Sequence, residues 1–280
     1  MLIESTPNFV PSSPRVSVVI PVLNEERNLT YVAARMPGDI HEVIVVDGRS
    51  VDGTVRKARE LWPSGIHLTQ SRSGKGNALA CGFAAATGDI VVMIDADCST
   101  DPAEIPAFVG ALIAGADFAK GSRFILGGGS ADITLLRKIG NNALCSLVNK
   151  LFDTKYSDLC YGYNAFWRHS LDAMRLPDHT RSASAWGDGF EVEALINVRI
   201  AASNLTVAEV ASFERDRIHG QSNLNVVRDG LRILKIVLQE FLAVRKAGIS
   251  RGGRPRAAIR LRPVATERAW SAVVSGSKTA

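Results

Sequence analysis

The chain has 280 residues, of which 46% are hydrophobic and 22% are charged, and its formal net charge is +5 at pH 7. This length fits one large α/β domain with appendages, and the composition is ordinary for a globular protein. The four cysteines lie far apart with no CxxC pair, which excludes zinc-ligand spacing and a small disulfide framework and predicts reduced thiols in a cytoplasmic protein.

The first 14 residues are predicted to form a flexible N-terminus. Residues 1–15 carry Glu4 and three prolines before any apolar block, so we expect no signal peptide. No uncharged apolar run along the chain reaches membrane-spanning length. We therefore expect a chain that does not cross a bilayer by itself.

Residues 15–225 are predicted to form a single α/β domain, and its first half alternates short β-branched runs with helical patterns. This alternation indicates βαβ units and a mainly parallel sheet. The predicted strands are Val16–Ile20, Glu42–Asp47, Ile66–Thr69 and Ile90–Asp95, and the predicted helices are Glu26–Met36, Thr54–Leu61 and Lys75–Thr87. Ligands on such sheets bind beyond the carboxyl ends of the strands, where the acidic and glycine-rich segments of this chain fall.

The second half of the domain is less regular and is followed by two C-terminal segments. Helices are predicted at Pro102–Ala114, Arg137–Leu151 and Glu191–Ala201, strands at Phe118–Lys120, Gly162–Trp167 and Thr206–Val210, and a flexible loop at 127–130. Residues 226–249 are predicted to contain an amphipathic helix from Val226 to about Ala247. Residues 250–280 are rich in Gly, Arg and Pro, which predicts a basic disordered tail.

The strongest chemical signal is an apolar strand that ends in Asp95-Ala96-Asp97. Two carboxylates separated by one residue can reach the same side of a strand tip. Mg²⁺ and Mn²⁺ prefer such hard oxygen ligands and share them with substrate phosphates. The alternative is an acidic strand end that caps the helix beginning at Pro102.

Other polar segments follow the neighbouring strands. Residues 21–26 follow the first strand and residues 47–54 the second, and their carboxylates can accept hydrogen bonds from a base or from ribose hydroxyls. Asp52-Gly53-Thr54 fits a turn and helix cap equally well. Residues 73–77 open a helix whose free N–H groups and Lys75 suit a phosphate. They lack the full P-loop pattern, which disfavours an ATPase.

Taken in order, these segments resemble the family-2 glycosyltransferases, especially the dolichol-phosphate-sugar synthase-like group. The matching segments are VVIPVLNEE at 18–26, VIVVDGRSVDGT at 43–54, GKGNAL at 74–79, GDIVVMIDADCSTDP at 88–102, KGSRF at 120–124, DLCYGYNAF at 158–166, DGFEVE at 188–193 and RIHGQSNL at 217–224. The resemblance implies a GT-A fold, which is a Rossmann-like, mostly parallel sheet flanked by helices. It also implies a UDP- or GDP-sugar donor, Mg²⁺ or Mn²⁺, and inversion at the anomeric carbon.

The resemblance also implies roles for individual residues. The nucleotide is lined by Pro21, Asn24, Glu25 and Asp47, with Asp52 and Lys75 nearby. The diphosphate is flanked by Asp95 and Asp97, which hold the metal, with Asp97 the direct ligand. The acceptor phosphate meets Ser122 and Arg123, and the donor is covered by Arg217 with the loop from His219 to Asn223. Many relatives have two adjacent aspartates in the segment that corresponds to residues 43–54. Here Gly48 follows Asp47, which loosens the inference about the base of the donor.

The catalytic base is assigned to Glu191, in the first turn of a predicted helix. A sugar-hydroxyl acceptor needs a carboxylate to take its proton, whereas a phosphate acceptor is already anionic and depends more on cationic positioning by Arg123. The alternative for Glu191 and Glu193 is favourable charge at a helix N-terminus. Of the five histidines only His219 lies in a motif, and packing is expected for Trp167.

The leading interpretation is a metal-dependent hexosyltransferase with a polyprenyl-phosphate or another membrane-associated acceptor. The alternatives are a soluble glycosyltransferase with a small polar or phosphorylated acceptor and an inactive nucleotide-sugar-binding scaffold. We expect a cytoplasmic protein, peripheral at the inner face of the cell membrane, that binds no nucleic acid. Residues 226–262 combine an apolar stripe with many cations, which predicts contact with a lipid surface; packing on the catalytic domain or a homodimer contact is the alternative.

Overall fold

The structure is a computed structural model that describes residues 13–220 and 226–246, with the side chains of residues 226–229 left out. Most of the predicted flexible N-terminus, the end of the predicted closing loop at residues 221–223 and the predicted tail at 250–280 lie outside the described residues.

A seven-stranded sheet forms the centre of the fold. In the described residues the strands of this sheet and of a second, two-stranded sheet are β1 (Val16–Val22), β2 (Glu42–Asp47), β3 (Ile66–Thr69), β4 (Ile90–Met93), β5 (Phe118–Ser122), β6 (Gly129–Ser130), β7 (Asn164–Trp167), β8 (Val207–Ala211) and β9 (Phe213–Glu214). The large sheet has the order β3-β2-β1-β4-β7-β5-β8, and β6 pairs with β9 in a two-stranded sheet. β7 is antiparallel to β4 and β5, and the other pairs are parallel. The predicted α/β class with a mostly parallel sheet is confirmed.

Helices cover both faces of the large sheet. They are α1 (Leu29–Ala34), α2 (Thr54–Leu61), α3 (Lys75–Ala85), α4 (Ile105–Ile113), α5 (Leu135–Phe152), α6 (Leu171–Met174), α7 (Val192–Ala201) and α8 (Val226–Lys246), with short 3-10 helices at Pro102–Glu104 and Arg168–Ser170. Alternate residues of the same strand enter the two cores: Val18 packs with α1, α2 and α4, whereas Val19 packs with α3, α5 and α7. Burial on both faces explains why the inner strands are continuous apolar runs.

Several predicted boundaries differ from the observed ones for local reasons. β1 continues through Pro21 to Val22 instead of stopping at Ile20, because Val22 still pairs with Asp47. α1 begins at Leu29 rather than Glu26, because Asn24 has a φ of 59° and the N–H groups of Asn28 and Leu29 turn back to the Glu25 carbonyl. The predicted flexible loop at 127–130 is wrong at its end, where Gly129–Ser130 pairs with Phe213–Glu214.

The C-terminal helix α8 packs on the domain along one side. Ile236, Val237 and Glu240 are buried, and the Phe241 ring meets the Phe152 ring of α5 edge to face at 5.9 Å. Arg199 of α7 donates to Glu240 at 2.8 and 3.0 Å. The single apolar stripe that the sequence predicts is therefore divided, because Phe241 faces the domain while Leu231 and Leu238 stay exposed. Within the described residues, none of the helices combines the length and the apolar character needed to span a membrane.

Candidate functional site

A cleft of about 470 Å³ opens at the carboxyl ends of the parallel strands. Its lining brings together seven of the residues that the sequence singles out: Pro21, Glu25, Lys75, Asp95, Asp97, Arg123 and Arg217. They come from segments up to 196 positions apart, and the sheet order places the ends of β1 and β4 side by side. The cleft is therefore where a ligand of the parallel sheet is expected to bind.

Asp97 is held from both sides. Its Oδ1 accepts a hydrogen bond from the Ser99 N–H at 3.0 Å, and its Oδ2 lies 3.0 Å from Arg217 Nε. The first contact is made in a tight turn in which Cys98 has a φ of 68°. Asp97 thus presents a fixed carboxylate to the cleft, and one of its oxygens already binds a cationic group.

Asp95 belongs to a three-residue ionic cluster. The Lys75 ammonium lies 2.5 Å from Asp95 Oδ1 and also contacts the Glu193 carboxylate. Burial raises the pKa of Glu193 above its usual value of 4.5. Burial alone would lower the pKa of Lys75, but its two carboxylate neighbours outweigh that effect and raise it. One cation therefore serves two carboxylates, which leaves a net negative charge at the wall of the cleft.

The two aspartates fit a divalent ion shared with a substrate. Both carboxylates line the cleft, and carboxylate oxygens are the ligands that Mg²⁺ and Mn²⁺ prefer. Mg²⁺ in particular is commonly bound through one or two carboxylates together with substrate phosphates. Among the described residues no group of three or more His, Cys, Asp or Glu side chains is arranged around a single metal position.

The segment of residues 187–193 is locked onto the start of α3. Arg72 pairs with Asp188 through two hydrogen bonds of 2.8 Å, and both side chains are buried. The Gly76 and Asn77 N–H groups donate to the Asp188 carbonyl at 2.7 and 3.3 Å. The expectation that these N–H groups are free for a phosphate is therefore wrong. The interaction instead fixes α3 and α7 so that Lys75 and Glu193 meet.

Gly76 is required by this contact. A Cβ atom at Gly76 would lie 1.8 Å from the Gly187 carbonyl oxygen, so a larger residue would push the two segments apart. Gly162 is constrained in a similar way, since a Cβ there would lie 2.4 Å from Glu193 Oε1. The glycines of these two motifs therefore allow the close approach that brings Glu193 to Lys75.

The nucleotide residues predicted around β1 and β2 form a hydrogen-bonded set of turns. Asn24 Oδ1 accepts from the Val51 N–H at 2.9 Å, and the oxygens of Asp47 accept from the Arg49 and Ser50 N–H groups at 3.0–3.3 Å. Asp52 Oδ1 accepts from the Thr54 N–H at 3.0 Å. These three side chains are not among the lining residues; they stabilise the turns next to the cleft by accepting hydrogen bonds from backbone N–H groups.

Glu25 is the carboxylate of this region that lines the cleft. Its Oε2 accepts from Asn28 Nδ2 at 2.5 Å. Burial raises its pKa above the usual value of 4.5, and the neighbouring charges of Asp97 and Asp95 act in the same direction. A ligand that offers a hydroxyl or N–H group here would meet a carboxylate with few protein partners.

Arg123 lines the cleft and also clamps together Asp158, in the segment before β7, and Glu214 of β9. Its Nε and Nη2 donate to Asp158 at 2.7 and 3.0 Å, and its Nη1 donates to Glu214 at 2.9 Å. Its guanidinium lies over the Tyr161 ring, 4.9 Å from the centroid. Burial would raise the pKa of Asp158, but Arg123 outweighs it and holds this pKa below the usual 3.8. Ser122 is fully buried, with its hydroxyl 2.6 Å from that of Ser157.

Ser122, Glu191 and His219 lie outside the lining as well. Glu191 accepts a hydrogen bond from the Gly189 N–H at 3.3 Å, and the cleft is lined by Glu193 instead. His219 contributes a carbonyl to Asn28 Nδ2 at 3.1 Å, and its ring centroid is 6.3 Å from that of Tyr31. Trp167 is buried, as expected, and its indole N–H donates to the Ala116 carbonyl.

The lining also contains residues that the sequence did not single out, some of them from α5. They include Gln70, Arg137, Asn141, Leu144 and Tyr161. None lies in a strand-end acidic motif, so only the fold reveals their place. Arg137 stands in the first turn of α5, where its side chain pairs with Asp132 at 3.0 Å.

Comparisons with known proteins agree with this geometry. The family model for glycosyl transferase family 2 matches residues 17–175. The chain is 36% identical over 132 residues to a dolichol-phosphate mannosyltransferase of Pyrococcus furiosus, a match that covers 45% of this chain and 38% of that protein. It is 29% identical over 229 residues to a polyprenol monophosphomannose synthase of Mycolicibacterium smegmatis, covering 78% and 84%.

A solved structure shows the same fold. Glucosyl-3-phosphoglycerate synthase of Mycobacterium tuberculosis superposes with a TM-score of 0.62 at 22% identity, covering 85% of this chain and 86% of that one. The GT-A fold implied by the motifs is confirmed.

Proposed function

The chain belongs to glycosyltransferase family 2, and we propose that it moves a hexose from a UDP- or GDP-sugar to a polyprenyl phosphate or another membrane-associated acceptor. The observation that carries this proposal is the cleft in which Asp95 and Asp97 meet Lys75 and Arg217. Two carboxylates for an ion and two cations beside them suit the diphosphate of a nucleotide-sugar.

Asp95 and Asp97 are the residues that would hold Mg²⁺ or Mn²⁺. When bound, the ion would supply charge neutralisation for the departing diphosphate. Lys75 keeps Asp95 oriented toward the cleft. Arg217, which pairs with Asp97, is placed to leave that carboxylate and bind a phosphate oxygen of the donor. The Mycobacterium tuberculosis neighbour was crystallised with Mn²⁺ and UDP-glucose, which supports a UDP-sugar and a divalent ion for this fold.

A lipid-linked acceptor is supported by the walls that α5 and α8 contribute. Leu144 of α5 and Ile233 of α8 line the cleft together with Ile133. The start of α5 also carries the exposed apolar side chains of Leu135 and Leu136. The helix α5 thus both lines the cleft and carries an exposed apolar surface. This arrangement suits an acceptor with a phosphate head and an isoprenoid tail. The names of both curated relatives describe transfer to such a lipid.

Contact with a membrane surface follows from the same proposal. Leu231, Leu238 and Leu242 of α8 are exposed at 63%, 45% and 63%. Cationic side chains lie between and after them on the same helix: Arg232, Lys235, Arg245 and Lys246. A basic amphipathic helix of this kind lies in the headgroup region, where each cation adds about 1 kcal/mol of attraction to anionic lipid. The protein would then act at the inner face of the cell membrane.

The chemistry of the acceptor decides whether a base is needed. A phosphate acceptor attacks as an anion, with inversion at the anomeric carbon, and needs positioning by cations such as Arg123 and Arg137. A hydroxyl acceptor needs a carboxylate to take its proton. The sequence assigns this role to Glu191, whereas Glu193 is the carboxylate that lines the cleft.

A soluble transferase with a small phosphorylated acceptor is the second candidate. The Mycobacterium tuberculosis neighbour was crystallised with phosphoglyceric acid, and the match covers 86% of its length. The two candidates separate when labelled hexose is supplied with polyprenyl phosphate in one reaction and phosphoglyceric acid in another. Label in the organic phase supports the first, and label confined to a water-soluble sugar phosphate supports the second. Donor binding without transfer to either acceptor would favour an inactive nucleotide-sugar-binding scaffold.

A further inference from the structure

Two glycines inside helices line the cleft, Gly140 of α5 and Gly230 of α8. Each lies beyond the first turn of its helix, where glycine destabilises the helix relative to alanine. In the part of the chain that the structure describes, a Cβ atom at either position would have no neighbour within 4 Å apart from its own stretch of helix. Steric crowding within the protein therefore explains neither glycine.

The other glycines of the cleft lining are explained by close contacts. A Cβ atom at Gly48, Gly74 or Gly162 would lie 3.1, 2.1 or 2.4 Å from another protein atom. A side chain at any of these three positions would displace part of the protein. A side chain at Gly140 or Gly230 would instead extend into open space at the cleft. The open volume beside α5 and α8 thus depends on two positions at which the fold tolerates a larger residue.

The space beside Gly140 and Gly230 is bordered by apolar side chains. One turn after each glycine an apolar residue lines the cleft, Leu144 on α5 and Ile233 on α8. Both side chains also pack against the buried core on this face of the sheet. We call the space bordered by Gly140, Leu144, Gly230 and Ile233 the α5–α8 groove. Because these four residues are apolar, the groove suits hydrocarbon rather than a charged group.

The α5–α8 groove has a cation at its edge and opens to solvent. Arg137 lines the cleft and stands three residues before Gly140, so the two positions are neighbours on the helix surface. Leu136, one turn before Gly140, is 60% exposed, so the apolar surface of α5 continues to the outside. Further along, α5 and α8 are in contact through the rings of Phe152 and Phe241. A cation beside an apolar groove matches a ligand with an anionic head and an apolar tail.

We propose that Gly140 and Gly230 keep the α5–α8 groove open for the isoprenoid tail of the acceptor, and that they make the site selective for a lipid phosphate over a small phosphorylated acceptor. This inference rests on the proposed function. A phosphate head at the cations of the cleft places the first tail carbons beside the groove. Burial of those carbons against Leu144 and Ile233 favours the lipid, because apolar surface leaves water.

Filling the α5–α8 groove tests this assignment without changing a cation. In Gly140→Leu and Gly230→Leu the added side chain occupies the space assigned to the tail. Gly38→Leu is the matched control, because a Cβ atom at Gly38 also meets open space and Gly38 is not among the lining residues. The double variant Gly140→Ala/Gly230→Ala, which favours both helices, replaces any leucine variant that does not fold.

Acceptor use is measured as kcat/KM with two phosphates that differ in the tail. Farnesyl phosphate carries a long isoprenoid tail, and isopentenyl phosphate carries a single isoprene unit. Both reactions contain Mn²⁺ and the same nucleotide-sugar donor, and thermal unfolding checks that each variant is folded. A general structural defect lowers both values and leaves their ratio unchanged, whereas a filled groove lowers the ratio.

We expect the unmodified chain to prefer farnesyl phosphate at least about tenfold in kcat/KM, and each groove variant to reduce this preference at least about threefold, since each buried methylene contributes to binding. Gly38→Leu should keep the preference. Equal use of both phosphates by the unmodified chain, or an unchanged preference in folded groove variants, overturns the assignment of the groove while the proposed transferase stands. Transfer to neither farnesyl phosphate nor a longer polyprenyl phosphate overturns both.

Discussion

Arg217 Nε lies 3.0 Å from Asp97 Oδ2, so the segment that follows β9 is tied to the acidic end of β4. Arg215 strengthens this tie, since its N–H donates to the Ser99 carbonyl and its guanidinium contacts Asp101 at 2.9 Å. A divalent ion on Asp97 would compete with Arg217 for the same oxygen. Donor binding is therefore expected to change the partner of Arg217 from Asp97 to a phosphate.

The first prediction concerns this exchange. Arg217 stands three residues before Gly220, whose φ of 95° allows it to act as a hinge for the predicted closing loop. Saturating nucleotide-sugar with Mn²⁺ should slow trypsin cleavage after Arg217 at least about fivefold. Mass spectrometry of the fragments identifies the site, and cleavage after Arg181, which is exposed and outside the cleft lining, provides an internal reference. Equal cleavage after Arg217 with and without donor contradicts loop closure.

The second prediction compares the two glutamates of α7 and its N-terminus. In Glu193→Gln, Lys75 keeps Asp95 as its only carboxylate partner of the two, and the cleft wall loses one negative charge. We expect kcat/KM to fall roughly 10- to 100-fold, which corresponds to about 1.4–2.7 kcal/mol, and the Mn²⁺ concentration for half-maximal activity to rise. Glu191→Gln is the comparison, since Glu191 makes its contact with Gly189 instead. A larger loss of kcat in Glu191→Gln than in Glu193→Gln would restore Glu191 as the base.

The third prediction concerns the buried clamp between Arg123 and Asp158. Asp158 is fully buried, so Asp158→Asn leaves the Arg123 charge without its bidentate partner and should lower the free energy of unfolding by about 3–5 kcal/mol at neutral pH. The folded pKa of Asp158 lies below its unfolded value of 3.8, so its contribution is complete above that value and is lost as the pH falls through the folded pKa.

Urea unfolding at pH 7 and at a pH well below 3.8 tests this pH dependence. The difference between the unmodified chain and Asp158→Asn should shrink at the lower pH. Glu60→Gln, in an exposed pair on α2, should change stability little at either pH. A pH-independent effect of Asp158→Asn would show that the charge of Asp158 is not what stabilises the clamp.

The fourth prediction separates lipid contact of α8 from packing on the domain. Removing α8 would uncover the Phe152 ring and the core residues that Val237 packs against, so changes on its exposed face are the sharper test. Replacing Leu231, Leu238 and Leu242 by Gln should reduce sedimentation with anionic liposomes by a factor of about ten or more, because each buried leucine contributes on the order of 1.5–3 kcal/mol. Leu126→Gln is the control, since Leu126 is 93% exposed in a loop. An unmodified chain that stays in the supernatant at low salt contradicts the membrane proposal and favours the small acceptor.

The sequence predicts best what local patterns determine. The elements Glu42–Asp47, Thr54–Leu61 and Ile66–Thr69 are confirmed to the residue, because each is a short apolar or amphipathic run bounded by turn residues. The family resemblance is confirmed as well, since it depends on the order of motifs along the chain. The pairing of Gly129–Ser130 with Phe213–Glu214 was missed, because two residues carry no periodicity.

The chemistry of the site depends on contacts across the chain and was only partly predictable. Lys75 and Glu193 are 118 positions apart, and Arg72 and Asp188 are 116 apart. From the motif of residues 188–193 the sequence assigns the base to Glu191, whereas the cleft is lined by Glu193. Residues two positions apart on a helix differ by about 200° in direction, so only the packing of α7 against α3 decides which one meets the cleft.

The most direct test of the account is donor turnover by the unmodified chain and by Asp97→Asn, measured as nucleoside diphosphate release from a panel of UDP- and GDP-sugars. We expect turnover of at least one donor with Mn²⁺, its loss in excess EDTA, and a loss of several kcal/mol of transition-state stabilisation in a folded Asp97→Asn variant. Asp89→Asn, at the opposite end of β4 and paired with Arg15, should keep near-normal activity. Turnover that persists in EDTA, or that survives Asp97→Asn, would contradict it.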